Sequence, residues 1–274
     1  MKPPSSRLIS LSFIAAIVIF STACSSHKAV PLGTIPEATK PSKTLVDRTV
    51  YSVAVNEAKQ GRKLHQGCKF YKRTKRILDR LTDGIGVPRG TWPVYMIGGD
   101  IPPNAGAVNK SVIVVHESLL VRSRNEADVA TVMAHEIAHV LAQHGPDEDQ
   151  GSKVTAAQVG STLLGVVTTV GSAIAGVDAS SAQQLGSLAS DATSAVSAGL
   201  ILQYDRDQEY EADEIGLMIM GKAGYDPRKA IDFWNNSSVI FGSSNNIGFL
   251  STHPSDSSRA SRLEKALPIA LQYY

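Results

Sequence analysis

The feature that most narrows what this chain can become is the run His135-Glu136-Ile137-Ala138-His139. Two histidines four apart share one face of an α-helix, one turn above the other. Both imidazoles can then point at one ion, with nitrogen–metal distances of ~2.0–2.1 Å for zinc. Glu136 follows His135 by about 100° of helical rotation. That sets it beside such an ion, in reach of a bound water but outside the ligand set. In a chain of 274 residues the pattern arises by accident about once in a hundred. Its setting argues against accident. Val129, Val132, Met133, Ile137, Val140 and Leu141 recur at helical spacing, and Gly145-Pro146 ends the run. Ser123 and Glu126 have capping-box spacing and predict the helix start. His144 falls in the predicted last turn, where it complements the helix dipole.

A catalytic zinc takes three protein ligands and keeps a fourth position open, so a third ligand must come from elsewhere. The second strongly helical stretch, Tyr204 to Gly221, carries Glu209, Glu211 and Asp213. Glu209 and Asp213 are four apart and share a face, whereas Glu211 is about 200° from Glu209 and points away. Glu209 has the longer arm and is the better ligand across a helix–helix gap. Asp213, one turn on, is placed to orient a ligand histidine through its other ring nitrogen. A solvated acidic face is the plain alternative, and an upstream H-E-x-x-H argues against it. A purely structural zinc site prefers cysteine-rich sets, and the chain has two cysteines, neither near the motif.

The stretches H-E-I-A-H-V, E-Y-E-A-D and Thr252-His253-Pro254 with Arg259 together resemble the HtpX and CAAX-prenyl-endopeptidase family of zinc peptidases (peptidase family M48). Within it, the small periplasmic lipoproteins of the LoiP kind are the nearest likeness. The likeness runs from about Ser111 to Leu267. Asn104-Ala105 and Val112 to Val115 are similar to the family's edge-strand region, although Gly106 stands where a bulky residue is usual. The resemblance implies a gluzincin-type fold, mainly α with a small antiparallel β-sheet (α+β), an active-site helix and a second ligand-bearing helix. It implies one Zn2+ per chain held by His135, His139 and Glu209, with Glu136 as general base and Asp213 behind a ligand.

Three readings stand equal for His253: oxyanion stabiliser, fourth ligand that keeps the enzyme latent, or cap of the last helix. Arg259 either positions substrate or pairs with a carboxylate such as Asp256. The implied activity is zinc-dependent endopeptidase cleavage of unfolded or misfolded envelope proteins, with an extended substrate added at the sheet edge at Val112 to Val115. The rival is an envelope chaperone or assembly factor acting with outer-membrane assembly machinery, its proteolysis minor or latent.

Lys2 and Arg7, the apolar run Leu8 to Phe20, then Ser21-Thr22-Ala23 and Cys24, form an export signal. The run is too short to span a bilayer comfortably. The arrangement resembles a bacterial lipoprotein signal over residues 1–23, with Cys24 lipidated, although Ser21 stands where Leu is preferred. Ser25 then implies an outer-membrane anchor facing the periplasm. Residues 24–44, rich in Ser, Pro, Thr and Lys, read as a flexible linker, and 45–274 as the peptidase domain. Cys68 is the other cysteine and is expected to be buried; a disulfide to Cys24 would exclude lipidation.

A net charge of +2 gives nucleic-acid binding no support. Helix is expected over 45–82, broken near Gly61 to Gly67. The basic run Lys69 to Arg80 reads as a solvated helix face, with anionic lipid as the alternative. Trp92–Ile97 and Ser111–Val115 read as strands. Residues 151–203, almost without charge, read as two packed, mobile helices rather than a membrane span. Asp226-Pro227 starts another helix with Phe233 and Trp234 in the core, and a last helix spans Ser257 to Leu267.

Overall fold

The computed structural model describes residues 29–144, 204, 206–237, 241, 249, 253 and 257–274. The expected signal segment, Cys24 and the stretch 151–203 lie outside the described residues. Residues 29–42, within the expected linker, carry no helix or strand, yet Val30, Ile35 and Ala38 pack against the core. Helix α1 (Lys43–Lys59) opens at Ser42, whose side chain accepts from the Leu45 N–H. The predicted break holds a two-residue strand, β1 (Leu64–His65), before α2 (Tyr71–Gly84). Helix α2 turns Thr74, Ile77, Leu78 and Leu81 inward. Its basic residues lie outward and are partly tied by ion pairs, Lys75 to Asp79 and Arg76 to Glu126. Cys68 is half-buried and free, more open than expected.

Strands β2 (Val94–Ile97), β3 (Ala105–Val108) and β4 (Val112–His116) join β1 in a sheet of order β1-β2-β4-β3. The sheet is mixed rather than antiparallel throughout: β2 and β4 run parallel, and the outer two pairs are antiparallel. After β2 the chain crosses to the far side of the future β4 and returns through a tight hairpin. Asn109 and Lys110, with φ of 49° and 53°, supply the two left-handed residues such a turn requires. Strand β4 is thereby inserted between β2 and β3, so Val112 to Val115 is no edge. Its backbone groups face partners on both sides and cannot receive a substrate strand; the edge on that side is β3. Side chains alternate: Ile113 and Val115 join the main core, while Val112 and Val114 meet Val53 of α1 in a smaller cluster. Burial of both faces explains why this strand is an unbroken apolar run.

Helix α3 (Glu117–Arg122) precedes α4 (Glu126–Leu141). The expected capping box does not form. Asn125 caps α4, accepting from the Asp128 N–H at 3.0 Å, while the Ser123 hydroxyl donates to Leu119 O and closes α3. Every residue of α4 from Asp128 to Leu141 is buried, which makes it the central helix. It packs most extensively on α5 (Arg206–Lys222). Gly216 permits this contact, because a Cβ there would lie 3.2 Å from the His135 backbone nitrogen. Helices α6 (Arg228–Asn235) and α7 (Ser257–Ala270) complete the described layer, with Phe233 and Trp234 buried as read. No helix among the described residues is long and apolar enough to cross a membrane.

Candidate metal centre

The close α4–α5 contact brings His135, Glu136 and His139 from one helix to Glu209 and Asp213 from the other. His253, which precedes α7, and Arg259 on α7 complete the group. His135 Nε2 lies 3.0 Å from His139 Nε2, 3.1 Å from His253 Nδ1 and 3.4 Å from Glu209 Oε2. Glu209 Oε1 is 3.3 Å from His139 Nε2 and 2.9 Å from His253 Nδ1. Bonds of ~2.0–2.1 Å at a tetrahedral ion place its donors about 3.3–3.4 Å apart, so these four side chains have the spacing of ligands around one cation. All four are buried. Glu209 Oε2 is buried, 3.4 Å from His135 Nε2 and 3.0 Å from Arg259 Nη1, so the carboxylate charge is offset by a guanidinium on the side away from His139 and His253.

The electrostatics agree with that donor set. Burial pushes His139 well below its ordinary pKa, which leaves the imidazole neutral. Burial alone would raise Glu209, but His253 and His135 beside it hold the carboxyl far below the usual range. Neutral imidazole and ionised carboxylate are the forms that bind metal. Burial also pushes His135 down, yet Glu209 and Asp213 outweigh it and hold this ring up at about 9: the cluster attracts positive charge.

Behind the donors, Asp213 Oδ1 lies 3.0 Å from His135 Nδ1. Arg259 grips the same carboxylate with both arms of its fork, Nε to Oδ2 and Nη2 to Oδ1, each at 2.7 Å. Its Nη1 is 3.0 Å from Glu209 Oε2, and its guanidinium lies 3.6 Å over the Trp234 ring. Arg259 is only 1% exposed and faces these interior carboxylates. Asp256 lies outside the described residues.

Glu136 stands beside the donors. Its Oε2 accepts from the Ala107 N–H of β3 at 3.0 Å, and its Oε1 lies 3.3 Å from His253 Nε2. Burial raises its pKa. The His253 ring thus turns one nitrogen to the donors and the other to Glu136, with Phe249 stacked on it at 4.4 Å.

Three further residues, none of them read from the sequence as part of the site, back this centre. His144 lies beyond the end of α4 and so does not serve its last turn. It meets His139 Nδ1 through its own Nδ1 at 2.8 Å, one of the pair donating, and its Nε2 lies 2.7 Å from Glu211 Oε2. Glu211, turned away from the donors as expected, also accepts from the Val30 N–H. Tyr204 stacks on the His139 ring at 3.7 Å. These contacts fix the ring through its rear nitrogen and its face.

The signature of Peptidase family M48 matches residues 71–267. The mitochondrial metalloendopeptidase OMA1 of Schizosaccharomyces pombe is 31% identical over 196 residues, covering 71% of this chain and 52% of that protein. OMA1 of Saccharomyces cerevisiae is 30% identical over 200 residues, covering 71% and 51%. The beta-barrel assembly-enhancing protease of Escherichia coli strain K12 is 31% identical over 154 residues, covering 54% and 28%. The chain therefore spans about half the length of its OMA1 relatives and less of the bacterial one. Since the matched span runs from α2 into α7 and takes in every donor of the buried cluster, the chain belongs to peptidase family M48.

Proposed function

We propose that the protein is a zinc-dependent endopeptidase in which His135, His139 and Glu209 hold the metal, Glu136 is the general base and His253 closes the fourth position at rest. The carrying observation is the convergence of four buried donors at tetrahedral spacing with Glu136 beside them. When bound, zinc supplies a Lewis acid for the scissile carbonyl and a water of lowered pKa. Glu136 takes the proton of the attacking water and passes it to the leaving amine. The Ala107 N–H holds Oε2, so Oε1 is the atom that carries the proton. Its raised pKa suits a group that must act as base and then as acid. Asp213 and Arg259 keep His135 and Glu209 in place.

Strand β3 is the sheet edge beside Glu136, and an extended peptide adds there through backbone hydrogen bonds. Such recognition favours unfolded or misfolded chains, whose backbones are available. Envelope proteins are the substrates in this reading, with the enzyme anchored at Cys24 to the outer membrane and facing the periplasm. The Leu8 to Cys24 pattern and the bacterial relatives named beta-barrel assembly-enhancing protease support that location. The test is casein cleavage by the full chain before and after chelation. Cleavage should disappear with the metal and return with zinc; cleavage that survives metal removal would overturn the reading.

His253 Nδ1 lying among the donors favours latency over oxyanion stabilisation. His253→Ala should raise casein cleavage by about tenfold or more, as the competent fraction grows. An oxyanion role predicts the reverse, a loss of about 100- to 1,000-fold. Latency also fits the second reading, an assembly factor whose proteolysis is minor. Rescue of envelope assembly by a cleavage-dead variant would favour that reading over the peptidase.

A further inference from the structure

At the opposite edge of the sheet from Glu136, three side chains with metal-binding atoms meet. His65 of β1 places Nε2 3.2 Å from Glu117 Oε1 at the start of α3. Cys68 completes the group, and the ligand atoms of all three lie within 4.8 Å of one another. Two strands separate β1 from β3, so His65 lies about 14 Å across the sheet from the edge strand beside Glu136.

The surroundings suit a cation. Cys68 precedes α2, and burial together with the Glu117 carboxylate beside it pushes its thiol up, with the Phe70 and Tyr71 backbone opposing that rise. The sulfur also contacts the Glu117 carboxylate. Gly98 borders the His65–Glu117 pair, where a Cβ would come within 3.4 Å of both His65 Nε2 and Glu117 Oε1; bare backbone leaves that side clear. The His65 and Glu117 side chains are 22% and 26% exposed, so ions reach them from solvent, unlike the buried centre. One thiolate, one imidazole and one carboxylate make a set for a borderline divalent transition ion, zinc foremost. Calcium and magnesium prefer oxygen alone.

We propose that His65, Cys68 and Glu117 form a second, solvent-open site for a divalent transition-metal ion of the zinc type. Such an ion clips the β1–α2 connection to the end of β4 and keeps a position for water.

Cobalt in place of zinc tests this, because the buried centre holds no sulfur. The full chain carrying Cys24→Ser leaves Cys68 as its sole thiol. Titrated with Co2+, it should bind two ions per chain and show a thiolate-to-cobalt charge-transfer band. Cys68→Ala should abolish the band, and His65→Gln and Glu117→Gln should each weaken the ion that produces it by about tenfold or more. Circular dichroism checks that each variant is folded, and any one folded variant suffices to read the band. Glu209→Gln should impair the buried ion and spare the band, which separates this site from the peptidase centre. A single bound ion with no thiolate band would overturn the proposal, as would a band indifferent to both His65→Gln and Glu117→Gln.

Discussion

Glu136→Gln should keep the metal and lower kcat/KM for peptide cleavage by about 100- to 10,000-fold, the range for loss of a positioned general base. Glutamine has the shape of glutamate, and its amide oxygen can still accept from the Ala107 N–H that holds Oε2 at 3.0 Å. It cannot take a proton from water. The side chain is fully buried and lies outside the donor set, so the ligands keep their spacing when it changes. Elemental analysis beside steady-state kinetics reads both quantities at once. Zinc retained with cleavage gone assigns the proton transfer to Glu136. Zinc retained with cleavage unchanged would move the base elsewhere, and loss of zinc would show that Glu136 belongs to the ligand set.

Arg259→Met should lower folding stability by about 3–5 kcal/mol, the cost of removing one partner from a buried ion pair. Methionine replaces the stem but leaves the Asp213 carboxylate without its paired donors and Glu209 Oε2 without the nearby guanidinium. Arg259→Lys should recover only part of the loss, because one ammonium cannot reproduce a bidentate fork lying over Trp234. Asp213→Asn combined with Arg259→Met should cost less than the sum of the single changes, since the charge left unpaired by one is removed by the other. Urea unfolding of the wild type, the three single variants and the double variant measures this. A loss below about 1 kcal/mol for Arg259→Met would place the residue among weakly coupled surface pairs and contradict its burial. The same change should weaken metal binding by about 10- to 100-fold, the usual effect of losing support behind a ligand.

Helical periodicity alone placed His135 and His139 on one face and Glu209 and Asp213 on another, because residues four apart on an α-helix are neighbours whatever surrounds them. The apolar run at Val112 to Val115 announced a strand for a similar reason. It could not announce a neighbour: burial on both faces looks the same in sequence wherever a strand lies in the sheet, and only the crossover before β3 made β4 interior. His144 was hidden differently. Five positions after His139, a continuing helix would carry it to another side. The left-handed turn at Gln143, φ 57°, breaks that rule and folds it back onto the His139 ring.

What the amino-acid order determined by itself is therefore local: which side chains share a helix face, and which runs must be covered. What only the tertiary structure decided is which of those faces meet. Gly216 lets α5 approach α4 closely enough for Glu209 to join the histidines. The fold turns Nδ1 of His253 to the donors and Nε2 to Glu136. It also brings Glu117 to His65 and Cys68 across the sheet. Contacts between residues this far apart in sequence depend on the packing of the whole core, and no spacing rule encodes them.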